Sequence, residues 1–529
     1  MKYKVCILAA GTGSRMGELS NHIHKAVLPL NFKAVISHIV EKFSKDIEIV
    51  VAIGDKKDTV KNYLTIAHHD RLFTFVEVDK YSGPGSGPGY SLFQCKKYLQ
   101  TPFVFFAADT IVLEKIPAPD HNWFGIAPVK DTEQYCTVRI KNNLVYHLDD
   151  KVKNNNRFAF IGLAGISDYD VFFKALEENR GSINGEIQVT NGFEKLIEKS
   201  LVPIGFTWFD TGTLKKYLET NKNFSNNDQG FDFSKSDEFL YFVDGKVIKF
   251  FADENVTKKR YERAVGKLKG LCPKIEEIKG QFYSYKKVDG QVLYENLNFN
   301  IFSNFLYWAQ TYLWKKISLS DKDEKKFYDA CHAFYYQKTK DRLSMFHKKT
   351  AGGYETKNIN DIFVPTVDEL LRLIDWKFLS QGTPTNFHGD LQFDNILSVF
   401  SAVNTSKDAF VLLDWRHDFG GLTAVGDLYY DLAKLYGGIL LPYNLIKKNM
   451  FSFEIRDSSV YYDFYTTHKL LEAKDVYESF IQKNGFDMKK IKIITALIFL
   501  NMSPLHIEPF GSMLYHLGRH MLYKTLKNI

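Results

Sequence analysis

Cysteine is scarce in this chain and never paired in sequence: Cys6, Cys95, Cys136, Cys272 and Cys331 stand far apart with no CxxC spacing. An odd, scattered set excludes a disulfide framework and a cysteine zinc site, and it suits a reducing, cytoplasmic setting. Long apolar runs are also missing. Nothing approaches the roughly 18 residues that a membrane span requires, and the short opening VCILAAG reads as a buried first strand and not as a cleavable signal. Nor is charge of one sign concentrated. The formal net charge is +7 over 529 residues, and Lys and Arg do not form the runs that track a nucleic-acid backbone. Nucleic acid is therefore not an expected partner, and the slight basicity fits an ordinary solvated surface as well as an enzyme of anionic phosphates. Internal repeats are absent.

What the chain has in quantity is apolar and aromatic side chains, with 44 Phe and 30 Tyr in a 45% hydrophobic composition, so a folded protein is expected. Single cores stop growing at roughly 250 to 300 residues, so this length predicts two domains.

From Lys4 to about Glu219, short apolar strands alternate with helical patterns. VCILAA, IEIVVAIG and PFVFFAAD read as strands, with helices near Val35–Phe43 and Thr59–Tyr63 between them. Such alternation predicts an α/β domain with a mostly parallel, Rossmann-like sheet, whose ligands bind at the carboxyl ends of the strands. Then NKNFSNNDQGFDFSKS loses periodicity and fills with Asn, Asp, Ser and Gly, the composition of a linker. The expected organisation is a domain over 1–222, a linker over 223–236 and a second domain over 237–529. The second opens with EFLYFVDGKVIKFF, a hairpin pattern around Asp-Gly, continues into a helix at NVTKKRYERAVGKLKGL, and becomes mainly helical after about Asn304.

The LAAGTGSRMG stretch follows the first strand directly. Gly11 and Gly13 allow a tight turn that brings backbone N–H groups, with those of Ala9 and Ala10 nearby, against phosphate oxygens. Arg15 adds a charged fork suited to departing pyrophosphate. A glycine turn is common by itself; the combination with Lys25 in HKAVLPL, Asp109 in AADT and Asp210 in WFDTGT is what points to nucleotidyl transfer. That chemistry needs Mg²⁺, which takes one or two carboxylates plus phosphate oxygens, and Asp109 and Asp210 are the candidate ligands.

This arrangement resembles the sugar-phosphate nucleotidyltransferase family over nearly all of the first 220 residues. The resemblance implies that the glycine loop and Arg15 hold a nucleoside triphosphate, that Lys25 contacts phosphate, and that Asp109 and Asp210 bind metal. It places Gly87, Gly89 and Ser91 of GPGSGPGYSL beside the base, and Gly165 and Glu186 at the sugar. His24 before Lys25 departs from the usual proline and is similar to choline-phosphate cytidylyltransferases, whereas WFDTGT looks like the hexose-1-phosphate members. AADT lacks the glycine often found before the metal-binding aspartate.

In the second half, HGDLQFDNIL followed by FVLLDW supplies Asp390, Asn395 and Asp414 in an order that phosphoryl transfer explains. One Asp accepts or orients the attacking hydroxyl, while an Asn and a second Asp hold Mg²⁺. Lys249, in the second hairpin strand, is placed to reach nucleotide phosphates, with Glu262 as its ion-pair anchor and Glu254 as competitor. The region from about Ser236 onward resembles the aminoglycoside phosphotransferase and choline kinase family. This implies an α+β kinase-like fold with a small β lobe and a helical lobe, Asp390 as catalytic base, Asn395 and Asp414 as metal ligands, and Lys249 as phosphate anchor. Asp427 and Asp431 of GDLYYDLAKL, with His388, then brace the catalytic loop.

Together these readings predict a cytoplasmic bifunctional enzyme. ATP phosphorylates a sugar or similar alcohol, and the product takes a nucleotidyl group from CTP, UTP, GTP or dTTP, releasing pyrophosphate, as a precursor for surface glycan. Two alternatives stand beside it: a choline- or ethanolamine-type kinase with a phosphocholine-type cytidylyltransferase, and a nucleotide-binding regulator with one inactive half. The partners expected are small molecules, and formation of a homo-oligomer is left open.

Overall fold

A computed structural model describes residues 2–179, 181–224, 237–350, 356–399 and 406–527. Most of the expected linker falls on 225–236, outside these described residues.

The described residues divide into two compact units, which differ from the domains expected at the linker. One gathers residues up to 224 together with 237–254 and 277–284; the other gathers 255–276 and 285–527. The reason lies in the hairpin. Its strands Glu238–Val243 and Lys246–Phe251 pair about Asp244 and Gly245, both left-handed (φ 47° and 71°), as a two-residue turn requires. The inward side chains Tyr241, Ile248 and Phe250, with Phe282, then join the apolar core of the first unit, and the Tyr241 hydroxyl donates to the Val27 carbonyl at 2.9 Å. Burial of these rings favours the first unit over an independent small lobe.

The sheet of the first unit has a parallel centre, Phe73–Glu77, Ile49–Ile53, Lys4–Ala9 and Phe103–Ala107, in that spatial order. Ile49–Ile53 is buried at every position, as a strand covered on both faces must be. The strand at Phe73–Glu77 carries no comparable apolar run and was not expected from the sequence. On the other side the sheet turns antiparallel through Phe158–Ile166. One apolar cluster lies on each side of the central strands: Val5, Ile7 and Ala9 of the first strand enter one, and Cys6 enters the other. This α/β architecture with a parallel core puts the glycine loop and Asp109 at neighbouring strand ends.

The second unit is mainly helical. Its long elements are Phe299–Trp308, Asp321–His332, Lys338–Lys349, Leu428–Leu440, His468–Lys483, Met488–Met502 and Phe510–Lys527. Met488–Met502 is buried over most of its length and is a core helix. Two short antiparallel strands, Ile396–Ser398 and Phe410–Leu412, carry the loop residues that precede and follow them. No helix among the described residues is long and apolar enough to cross a membrane.

Candidate active sites

In the first unit the loop after Lys4–Ala9 is fixed by its backbone. The Ala10 carbonyl accepts from Asp55 N–H at 3.0 Å, and Gly13, left-handed at φ 66°, caps a short turn whose Met16 N–H returns to the Gly13 carbonyl at 2.9 Å. Ala9 and Ala10 are buried, while Gly11 and Arg15 are exposed. His24 lies beneath this loop: its Nε2 meets the Gly11 carbonyl at 2.9 Å, and its Nδ1 accepts from Ala26 N–H at 3.2 Å. Burial, aided by neighbouring Lys25, pushes its pKa down to about 4, so it is neutral at pH 7. His24 is thus a backbone brace, a role compatible with any substrate.

Asp109 sits between the strands Phe103–Ala107 and Thr110–Val112, and the antiparallel pairing of Trp208–Asp210 with Thr110–Val112 sets Asp210 opposite Thr110. The register thereby carries two aspartates 101 positions apart in sequence to one place. A Cβ on Gly212 would lie 3.0 Å from both Asp109 Oδ2 and Asp210 Oδ1, so twice that distance, about 6 Å, bounds their separation. Each carboxylate has a cation. Lys25 Nζ donates to Asp109 Oδ2 at 2.5 Å, and Lys216 Nζ donates to Asp210 Oδ2 at 2.8 Å, where the Tyr135 hydroxyl also donates at 3.0 Å. Burial pushes the Asp109 pKa up, but Lys25 and then Arg15 outweigh it and hold the carboxyl below its ordinary range. Lys216 and Tyr135 were missed from the sequence, which offers no motif for either.

The glycine-rich loop at 83–89 meets the segment around Glu186 edge to edge: Gly85 N–H donates to the Gly185 carbonyl at 2.6 Å and Ile187 N–H to the Ser86 carbonyl at 2.7 Å. Gly87 and Gly89 leave no room for a side chain, since a Cβ would come within 2.6 Å of the Ile187 carbonyl oxygen and 2.5 Å of that of Gln188. Ser91 turns its hydroxyl to the Gly87 carbonyl at 3.1 Å. Glu186 is exposed at this junction. Gly165, expected at the sugar, is buried within its strand under the Trp123 indole, whose Nε1 lies 2.0 Å from the position of a Cβ. That contact makes it a packing glycine and closes its face to a ligand.

In the second unit the loop at 388–395 is heavily braced. Asp431 accepts from His388 N–H at 2.7 Å and Gly389 N–H at 2.6 Å, and Asp427 caps the Leu428–Leu440 helix while accepting from Tyr335 and Thr383. His388 Nε2 meets the Leu413 carbonyl at 2.7 Å, and burial pushes its pKa down to about 4. Asp390 forms an ion pair with Lys434 at 2.8 Å; although burial pushes its pKa up, Lys434 outweighs this and holds it at about 2. Asn395 donates through Nδ2 to the Asp390 carbonyl at 2.8 Å, and Leu413 N–H donates to the Asn395 carbonyl at 2.8 Å, which sets Asp414 next to this loop. Asp414 has a left-handed backbone (φ 55°) and lies 3.5 Å from Arg260.

Glu262 does not anchor a cation: the Glu254–Val265 helix buries Arg260 and Arg263 and leaves Glu262 exposed, with no ion pair among the described residues. Arg263 instead donates to the carbonyls of Phe387, His388 and Arg416. Lys249 is half-buried on its hairpin strand, in the first unit.

The donor sets fit Mg²⁺. Two carboxylates converge at Asp109 and Asp210, and Asn395 and Asp414, on backbone segments joined by the Leu413 N–H to Asn395 carbonyl bond, carry an amide oxygen and a carboxylate, the hard oxygen ligands this ion prefers. No group of three or more His, Cys, Asp or Glu that could hold a metal occurs among the described residues, so a cation here would complete its shell from phosphate and water.

The MobA-like NTP transferase domain family matches residues 5–116. The "Bifunctional protein GlmU" of Methanococcus vannielii is 27% identical over 236 residues, which cover 42% of this chain and 55% of that protein. The "Low-salt glycan biosynthesis nucleotidyltransferase Agl11" of Haloferax volcanii is 25% identical over 239 residues, 41% of this chain and 65% of that protein. The chain thus spans little more than half the length of the first of these relatives. Among solved structures, the CTP:phosphocholine cytidylyltransferase of Streptococcus pneumoniae aligns at a TM-score of 0.36 and 18% identity, over 42% of this chain and 100% of that one. The N-terminal part of this chain is a nucleotidyltransferase domain.

Proposed function

We propose that the chain is a bifunctional transferase: its second unit phosphorylates a hydroxylated small molecule with ATP, and its first unit transfers a nucleotidyl group from a second nucleoside triphosphate to the phosphorylated product. The carrying observation is that one chain holds two aspartate centres of the same make, Asp109 with Lys25 and Asp390 with Lys434, each kept ionised by a lysine. The nucleotidyltransferase relatives support the first half, and the name of the Haloferax protein supports a product destined for glycan.

In the first unit, the loop N–H groups of 11–13 and the cations Arg15 and Lys25 would receive the triphosphate. A phosphate oxygen of the acceptor forms the new bond to the α-phosphorus, the α–β bridging bond breaks, and pyrophosphate leaves toward Arg15. Asp109 and Asp210 would hold Mg²⁺, which supplies charge neutralisation to the triphosphate. Lys216 and Tyr135 orient Asp210 by hydrogen bonds. In the second unit, ionised Asp390 orients the acceptor hydroxyl and takes its proton as the oxygen bonds to the γ-phosphorus and ADP departs. Asn395 and Asp414 would hold the Mg²⁺ of that step, and Asp431 and Arg263 keep the loop rigid.

Mass spectrometry of products from a metabolite extract with Mg²⁺ and all four nucleoside triphosphates tests the reading. A nucleotide-activated product should form, Asp109→Ala should stop the reaction at the phosphorylated intermediate, and Asp390→Ala should stop it before that. Phosphorylation surviving Asp390→Ala would refute the assignment of that residue.

A further inference from the structure

Lys338 and Arg342 lie one turn apart on the Lys338–Lys349 helix and so share a face. Lys338 Nζ is 4.0 Å from the centre of the Phe334 ring and 5.9 Å from that of Tyr430, and the Arg416 guanidinium is 5.0 Å from the same Phe334 ring. Burial, and then the like charges of Arg416, Lys434 and Arg342, push the Lys338 ammonium well below its ordinary pKa; Asp390 is the opposing charge it feels. Arg342 is likewise lowered by burial and by Arg416. Lys434, Arg416 and Lys338 therefore lie around Asp390 with Arg342 beside the last two, and that carboxylate is already paired with Lys434.

Among the described residues no carboxylate lies within ion-pair distance of Lys338, Arg342 or Arg416. The nearby acids are engaged elsewhere: Asp341, whose charge opposes the lowering of Arg342, accepts from Gln337, Asp418 pairs with Lys259, Asp427 accepts from Tyr335 and Thr383, and Asp431 accepts from the loop N–H groups. Ring faces soften such a cluster but leave it net positive. Like charges gathered in a partly desolvated site repel one another, and an anion relieves that repulsion while a quaternary ammonium adds to it.

We infer that the molecule phosphorylated in the second unit is an anionic alcohol, whose phosphate or carboxylate sits among Lys338, Arg342 and Arg416 while its hydroxyl faces Asp390. This rests on the phosphotransferase reading of the 388–414 region. In the reaction the acceptor oxygen bonds to the γ-phosphorus of ATP, the bond to the ADP oxygen breaks, and the hydroxyl proton passes to Asp390. The acceptor's anionic group takes no part in bond making and serves only to place the hydroxyl. Choline and ethanolamine are thereby disfavoured.

The test uses the full chain with ATP labelled in its γ-phosphoryl group and a metabolite extract split on an anion exchanger at pH 7. Label should transfer to a product only from the retained, anionic pool. Treating that pool beforehand with a phosphatase, then removing it, should abolish the acceptor if its anion is a phosphomonoester and spare it if it is a carboxylate. Label arising from the unretained pool would overturn the inference while leaving the kinase reading intact, and label from neither pool would overturn both. With the active fraction in hand, Arg342→Gln, on a half-exposed side chain, should raise the acceptor KM by about tenfold or more, with Arg342→Lys recovering part of the loss. A rise in the ATP KM instead would assign the cations to the nucleotide and overturn the inference.

Discussion

Replacing Gly212 with alanine should slow nucleotidyl transfer while leaving the first unit folded. Gly212 does not hold a left-handed backbone, so alanine brings no conformational strain and can stabilise by a few tenths of a kcal/mol through the unfolded state. The added methyl carbon would lie 3.0 Å from Asp109 Oδ2 and from Asp210 Oδ1. Comfortable contacts between non-bonded heavy atoms are about 3.5 Å, so each carboxylate must retreat by a few tenths of an ångström. Misplacement by about 1 Å costs on the order of 10²-fold in rate, which scales here to about tenfold, or about 1.4 kcal/mol of barrier. The assay is pyrophosphate release as a function of Mg²⁺ concentration, with a thermal melt alongside. The expected result is a kcat about tenfold lower, a higher Mg²⁺ requirement and a Tm shifted by no more than about 2 °C. A folded variant with unchanged kcat and an unchanged Mg²⁺ curve would refute the view that the space between the two carboxylates is where the triphosphate is handled.

Asp390→Ala should reduce phosphoryl transfer by about 10²-fold or more and leave pyrophosphate release from a supplied phosphorylated acceptor unchanged, read by product mass spectrometry. Burial raises the Asp431 pKa to about 6 in the folded protein, against the backbone N–H bonds that lower it. A raised folded pKa means that the group's contribution is fully present below the unfolded value near 3.9 and is lost as pH rises through about 6, so wild-type stability measured against Asp431→Asn should fall between pH 4.5 and 7.5, by at most about 3 kcal/mol. Chemical denaturation at the two pH values checks the sign, and a rising difference would contradict it. Gly89→Ala should push the Gln188 backbone away from the glycine loop and destabilise by about 1 to 3 kcal/mol, visible in a thermal melt. Arg263→Met should remove the side-chain donor from the carbonyls of Phe387 and Arg416, the His388 carbonyl keeping Arg416 N–H, and lower kcat of the phosphoryl step at unchanged nucleotidyl transfer, with Arg263→Lys recovering little because one ammonium cannot span them.

The elements most legible in the sequence were those whose signal is local. Ile49–Ile53 is a run of apolar residues buried on both faces, and the Asp244–Gly245 pair marks its own turn through two positive φ angles. The aspartates could be named because each lies in a short motif. Where the sequence misled, the deciding interaction was remote. Gly165 matched a sugar-contact motif, yet the Trp123 indole from a neighbouring strand fills the space beside it. Glu262 lies one place from Arg263, and helix rotation alone decides which of the two is buried. The hairpin reads equally well as the edge of a second domain or as cover for the first, because apolar alternation says that one face is buried without saying against what.

The partners of the aspartates show the same limit. Asp390 and Lys434 are 44 positions apart and belong to a loop and a helix, and Asp210 meets Lys216 and Tyr135 from separate elements. Lys216 stands in no motif, and Lys434, although it lies within GDLYYDLAKL, carries no local sign of its partner, because a lysine that holds a carboxylate ionised needs only to arrive within about 3 Å, and many backbone routes deliver it there. Chemistry is therefore written locally, in the residue that reacts, while its tuning is written in the fold. The excess of cations near Asp390 is a property of this second kind: Lys338, Arg342 and Arg416 come from two segments, and only the meeting of Lys338 and Arg416 on the Phe334 ring, with Arg342 one turn from Lys338, makes a charge that an acceptor must answer.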